Sequence, residues 1–192
     1  MLTTVLCLAA LGGWPQALGL TRDGVGPSVS LARSWDVASP TFAWEAPAGE
    51  GFAGAVSDGG QVYLWHRMGR DEVLEARRLD TGERVWKRAW PSAYRGSIIP
   101  DSGPRATPSV IDDTVFVLGA AGRLAAVSAF DGTELWQVDL AKTYRASSGY
   151  FGFGHSPLVH GGVLVVNVGG SDKGGVVGFE LKTGAVRWQV AD

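Results

Sequence analysis

A short phrase recurs along the chain: "LDTGERVW" at 79–86, "FDGTELW" at 130–136 and "LKTGAVRW" at 181–188. Trp86, Trp136 and Trp188 lie 50 and 52 residues apart, and Gly82, Gly132 and Gly184 keep the same intervals. A second segment follows the same order. "TPSVIDDTVFVLG" from Thr107 aligns with "SPLVHGGVLVVNV" from Ser156 at an offset of 49, and "GAVSDGGQVYLW" from Gly54 is their counterpart without the proline. A small unit that returns at a fixed period cannot hide both of its faces alone and must stack on its neighbours. The repeat therefore restricts the fold to stacked copies of one unit.

Within the middle copy, alternation and turn residues predict four short strands, near Ser109–Ile111, Val115–Leu118, Leu124–Ser128 and Leu135–Val138. Turns are expected at Asp112-Asp113, Ala121-Gly122 and Asp131-Gly132, where Asp and Gly supply tight hairpin geometry. Four antiparallel strands per period of about 40–50 residues are the signature of a β-propeller blade. The expected fold class is all-β, with about three blades near 51–90, 103–140 and 154–190, all within 51–192. The Thr-Gly turn joins the third strand to the fourth, and its glycine takes a conformation that a Cβ resists. The tryptophan that follows is placed on the outer strand, where its ring wedges between blades and buries roughly 150–250 Å². Trp86, Trp136, Trp188 and the glycines Gly82, Gly132 and Gly184 are accordingly read as structural. Propellers of this kind close with about seven or eight blades, so three copies are expected to be part of a larger ring and the chain a fragment or truncated product. Trp44 in "FAWEAP" is expected on the outer strand of the closing blade, inside a lead-in over 14–50.

The 28 glycines and 8 tryptophans fit many tight turns between aromatic-anchored strands. Seventeen basic against nineteen acidic residues give a net charge of −2, which provides no electrostatic footprint for nucleic acid or an anionic membrane. Cys7 is the sole cysteine and excludes both a disulfide and a thiolate metal site within the chain. It lies in "MLTTVLCLAALGG", too short to span a bilayer as a helix. Its apolar core and small-residue end are those of a secretory signal peptide without the basic start, so residues 1–13 are read as signal-peptide-like. The expected location is periplasmic or secreted, with no transmembrane segment beyond that leader.

An apolar residue, Asp, Thr-Gly, two variable residues and Trp, preceded by an "SP.V..G.V.V" stretch, resembles the repeat of the quinoprotein-type or PQQ-like propellers. That family includes the pyrroloquinoline quinone (PQQ) alcohol dehydrogenases and the BamB-like assembly lipoproteins of the outer membrane. The opening "WPQALGLTRDGVGPS" from Trp14 is similar to the "WPQFRGPNRDG" start of secreted PQQ-like repeat proteins, with Ala17 and Leu18 in place of Phe-Arg. The resemblance covers residues 14–192 and implies a binding or scaffolding module that recognises a protein or a small-molecule ligand. The alternative it implies is a fragment of a PQQ-dependent alcohol dehydrogenase-like oxidoreductase. Such an enzyme needs PQQ, a calcium ion held by acidic and amide oxygens, and an Asp base. Many also carry an adjacent cysteine pair, which Cys7 alone cannot form. No residue matches the family's Asp or calcium ligands, so no cofactor, metal or catalytic residue is assigned and the enzyme is the secondary reading.

Other chemistry-bearing patterns are weaker. "GYFGFG" at 149–154 precedes nothing helical, which excludes a phosphate cradle of the nucleotide-loop kind. His155 and His160 are five apart in a predicted strand and turn and do not converge on a metal. What remains is the pair of long connections, "PSAYRGSIIPDSGPRATPS" from Pro91 and "AKTYRASSGYFGFGHSP" from Ala141. Both exceed what a hairpin needs, and loops gathered on one face of a rigid scaffold are where binding residues sit. Arg105 and His155, just before inner strands, are expected to face the channel, and Tyr144, Arg145 and Tyr150 complete the binding candidates.

Overall fold

The structure is a computed structural model and describes residues 13–28, 30, 34, 42–98, 101–169 and 174–190. All of the signal-peptide-like segment except its last residue lies outside the described residues. Three four-stranded antiparallel sheets follow one another in the chain, each a meander of sequence neighbours. The first contains β1 (Val56–Asp58), β2 (Gln61–Met68), β3 (Asp71–Arg78) and β4 (Arg84–Pro91). The second contains β5 (Ser109–Ile111), β6 (Thr114–Leu118), β7 (Arg123–Ser128) and β8 (Glu134–Asp139). A one-and-a-half-turn helix, α1 (Leu140–Tyr144), separates it from the third sheet, with β9 (Leu158–His160), β10 (Val163–Asn167), β11 (Val176–Glu180) and β12 (Val186–Val190). These are three propeller blades, and the strands of the middle copy fall where the alternation puts them, each end within a residue. The inner hairpin shows why Asp-Asp works there. Asp112 and Asp113 both adopt left-handed φ, 46° and 58°, as Gly59-Gly60 and Gly161-Gly162 do in the other blades.

Register decides which face each side chain takes. Tyr63 pairs with Ala76, Phe116 with Ala126 and Val165 with Gly178, so these positions are equivalent in the three blades. One apolar core, with Tyr63, Trp65, Trp86, Val115, Val117 and Val127, lies between the first and second blades. A second, with Phe116, Leu118, Leu124, Leu164, Val166 and Phe179, lies between the second and third. Side chains alternate, so Val115 and Val117 face back to the first blade while Phe116 and Leu118 face forward to the third. The first blade departs from this rule on its backward face. Glu75 and Arg77 stand where the second blade has Ala125 and Val127, and they form a buried ion pair of 2.7 Å.

The recurring phrase has one structural meaning. Trp86 Nε1 donates to Ala129 O at 2.8 Å, and an ideal Cβ on Gly132 would lie 2.7 Å from the Trp86 ring. Trp136 Nε1 donates to Leu181 O at 2.7 Å, and a Cβ on Gly184 would lie 2.6 Å from the Trp136 ring. Each tryptophan thus latches onto the Thr-Gly turn of the following blade, and glycine serves there both for its positive φ and for the ring's close approach. Trp44 makes the same latch on the first blade, with Nε1 2.9 Å from Leu79 O and its ring against Gly82. It does so from an irregular segment: no strand includes Trp44, which corrects the outer-strand expectation. A single hydrogen bond and a ring contact position it, so it needs no ladder. The helix α1 was likewise not legible as a strand break; Asp139 caps it by accepting from the Lys142 N–H.

Candidate functional site

Both long connections leave an outer strand and enter the next inner strand, so they lie on the same face as the Gly69-Arg70 and Ala121-Gly122 hairpins. They are tied together there. Tyr94 Oη donates to Tyr150 O at 3.1 Å, across the two connections. At their inner ends, Gly54 N–H donates to Thr107 Oγ1 at 3.1 Å and Thr107 N–H donates to Ser156 Oγ at 2.9 Å, a blade-to-blade chain along the axis.

Arg105 is half-buried at the centre of this face. Its guanidinium lies 5.5 Å from the Phe52 ring centroid and 5.4 Å from that of Tyr94, and it donates to Gly103 O and Asp101 O. Stacked between two rings and held by two carbonyls, it is a preorganised cation rather than a loose loop charge. Its surroundings are held by Arg67, which sequence reasoning missed. Arg67 is 3% exposed and donates to the carbonyls of Gly69, Ser92, Tyr94 and Ser102, so one buried guanidinium fixes both ends of the 91–102 loop. In sequence Arg67 reads as an outward position of an alternating strand, and nothing local marks it.

Of the other candidates, Tyr150 presents its ring to solvent, 72% exposed, beside the half-exposed Phe151. Arg145 is exposed and caps α1 in a left-handed conformation. Tyr144 is not on the surface. It is buried with Leu140 in the core between the second and third blades, and burial raises its hydroxyl pKa. The reason is α1, which turns Tyr144 inward one residue before it ends. His155 is half-buried with its Nε2 enclosed and unpartnered, and burial pushes its imidazole pKa below the ordinary value. Arg105, Tyr150 and Arg145 therefore lie toward one face, with His155 beneath it at the start of β9.

Between the first two blades on this face is a polar cleft of about 370 Å³ lined by Glu72, Ser92, Arg123, Gln137 and Asp139. Glu72 is 1% exposed and accepts from Ala120 N–H at 2.8 Å; burial raises its carboxyl pKa against that bond and the charge of Arg67. Among the described residues no three His, Cys, Asp or Glu side chains converge as a metal site. The donor set does not fit the calcium that a quinone cofactor requires, and no chemistry is routed through that group.

The His155 environment sets a pH response. The unfolded chain takes up this proton near the ordinary imidazole value, while the folded chain resists it, so the contribution is full above about pH 6.5 and is lost as pH falls below it. Replacing His155 with Gln is expected to flatten the decline in melting temperature between pH 7 and pH 5.5. Parallel declines in the two proteins would show that His155 does not titrate on folding.

A family model described as outer membrane protein assembly factor BamB matches residues 70–192. The chain is 31% identical over 125 residues to the outer membrane protein assembly factor BamB of Escherichia coli K12 and equally to that of Shigella dysenteriae serotype 1. The match covers 62% of this chain and 30% of either relative, so the chain spans under a third of their length. Among solved structures it resembles a quinohemoprotein alcohol dehydrogenase of Pseudomonas putida HK5, with a TM-score of 0.56 and 23% identity over 76% of this chain and 21% of that one. It also resembles BamB of Moraxella catarrhalis, with a TM-score of 0.50 and 17% identity over 74% or less of this chain, namely 73%, and 35% of that one. At these identities the structural matches establish the propeller fold alone.

Proposed function

The chain belongs to the BamB family of PQQ-like repeat propellers, and from that premise we propose that it is an extracytoplasmic binding or scaffolding module whose loop face recognises a protein partner. The observation that carries this reading is the knot of Arg105, Phe52 and Tyr94, joined through Tyr150 O to the second connection. A rigid scaffold that holds a cation between rings, with exposed Tyr150 and Phe151 at its rim, has the make-up of an interaction anchor. The names of the curated relatives, assembly factors of the outer membrane, support a partner that is itself a protein and a location outside the cytoplasm. An oxidoreductase is not favoured, because the described residues offer no donor set for calcium.

The test is selective loss of binding. Replacing Tyr150 and Phe151 together with Ala is expected to abolish retention of at least one extracytoplasmic protein that the unaltered chain captures. The unfolding free energy should change by no more than about 0.5 kcal/mol, because exposed side chains away from the core contribute little. Undiminished capture of every partner by a stably folded variant would remove this face from recognition.

A further inference from the structure

The lead-in has a definite place at the opposite end of the inner strands. Ser57, Val110 and Val159 occupy one register position in the three blades, pairing with Val62, Val115 and Leu164. Their remaining backbone groups lie on the free axial edge of each sheet, and a free edge is a template for another extended chain. The lead-in engages all three. Ser57 N–H donates to Trp14 O at 2.9 Å, Val110 N–H donates to Pro15 O at 2.7 Å, and the Arg22 guanidinium donates to Val159 O. Trp14 N–H returns a bond of 3.1 Å to Ser57 Oγ, completing an isolated antiparallel bridge. Gln16 Oε1 accepts from Arg22 at 3.0 and 2.9 Å, and Gly19, at φ 79°, lets the chain fold back over the Trp14 ring.

We infer that this axial edge, formed by Ser57, Val110 and Val159, is a main-chain recognition site for an extended polypeptide, which residues 13–22 fill in cis. The groups it offers are backbone donors and acceptors, so it takes its ligand by strand addition, with selectivity from the Trp14 and Arg22 positions. About 450 Å³ of open space remains between the lead-in and the inner strands, beside Leu20, Asp58, Asp112 and His160. The site is therefore not packed shut around its occupant. It lies toward the Asp112-Asp113 end of the inner strands, away from the long connections, and so is independent of the loop face.

A tethered segment competes at an effective concentration of roughly millimolar, which masks the site from a free peptide. The experiment uses the full chain and a fluorescent synthetic peptide of residues 13–24. The Trp14→Ala/Arg22→Ala chain is expected to bind the peptide saturably and at least about tenfold more tightly than the unaltered chain does. A scrambled peptide should bind neither. Should the double variant lose its fold, Arg22→Ala alone is measured, with amide hydrogen exchange at Ser57 and Val110 as the readout: faster than in the unaltered chain, and slowed again by the peptide. The Tyr150/Phe151 variant should bind the peptide as the unaltered chain does, which separates failure here from failure of the loop-face reading. Equal affinity of the opened and unaltered chains, or no saturable binding and no peptide-dependent protection in the opened chain, would overturn the inference.

Discussion

Replacing Trp86 with Ala is expected to lower the unfolding free energy by roughly 3–5 kcal/mol, the range for deleting a buried aromatic side chain. Trp86 is 9% exposed, packs 6.0 Å from the Tyr63 ring and donates to Ala129 O in the next blade. The loss has two parts, the apolar area of the ring and the cavity it leaves against the Gly132 turn, and neither neighbour is positioned to collapse into that space. The repeat supplies an internal control. Trp188 holds the same sequence position but is 39% exposed, so Trp188→Ala in the same chain is expected to cost only about 1 kcal/mol. Paired urea unfolding curves decide the point. Equal losses from both variants would mean that the tryptophan acts within its own sheet rather than through the latch on its neighbour.

The second large effect is expected at Arg67. Substituting Met keeps much of the stem but removes a guanidinium that serves four carbonyls, those of Gly69, Ser92, Tyr94 and Ser102. Buried acceptors left without donors cost about 1–3 kcal/mol each, reduced wherever water enters, so a net loss of about 3 kcal/mol is expected. The loss should be concentrated at one place. The 91–102 loop and the Arg105 knot that rests on Tyr94 should gain protease sensitivity before the blades unfold. Limited proteolysis with mapping of the first cut checks this, and a first cut inside a blade with the loop intact would contradict it. Arg67→Lys is expected to recover only part of the loss, since an ammonium cannot reach carbonyls spread around a planar fork.

These effects also show how far local sequence carries. The blade unit was legible because its signals are short-range: Asp112-Asp113 and the Thr-Gly turns each fix a hairpin within a few residues, and alternation across Val115–Leu118 assigns faces without knowledge of any partner. The wedging of Trp86 and Trp136 between blades followed from the same pattern, because a large ring after a tight turn has few other places to be buried. Trp44 shows the limit. Its ring reaches the expected latch on Gly82, but the strand expected around it is absent, since the latch requires only a ring and one donor.

The candidate site was legible only in part. Arg105 and His155 were placed by their position before inner strands, while the identity of what holds them was not. Arg67 gathers carbonyls 2 to 35 residues away, and Tyr94 meets Tyr150 across 56 residues, separations at which sequence patterning carries no information. Tyr144 went inward because α1 reversed its direction, a choice settled by the apolar core between the second and third blades. By itself, then, the sequence determined the repeating blade, its turns and its latch residues, because each is specified by neighbours along the chain. Which arginine is buried, which tyrosine faces solvent and where the lead-in lies were decided only by tertiary structure, because buried hydrogen bonds must be satisfied by whatever groups the folded sheets bring within reach.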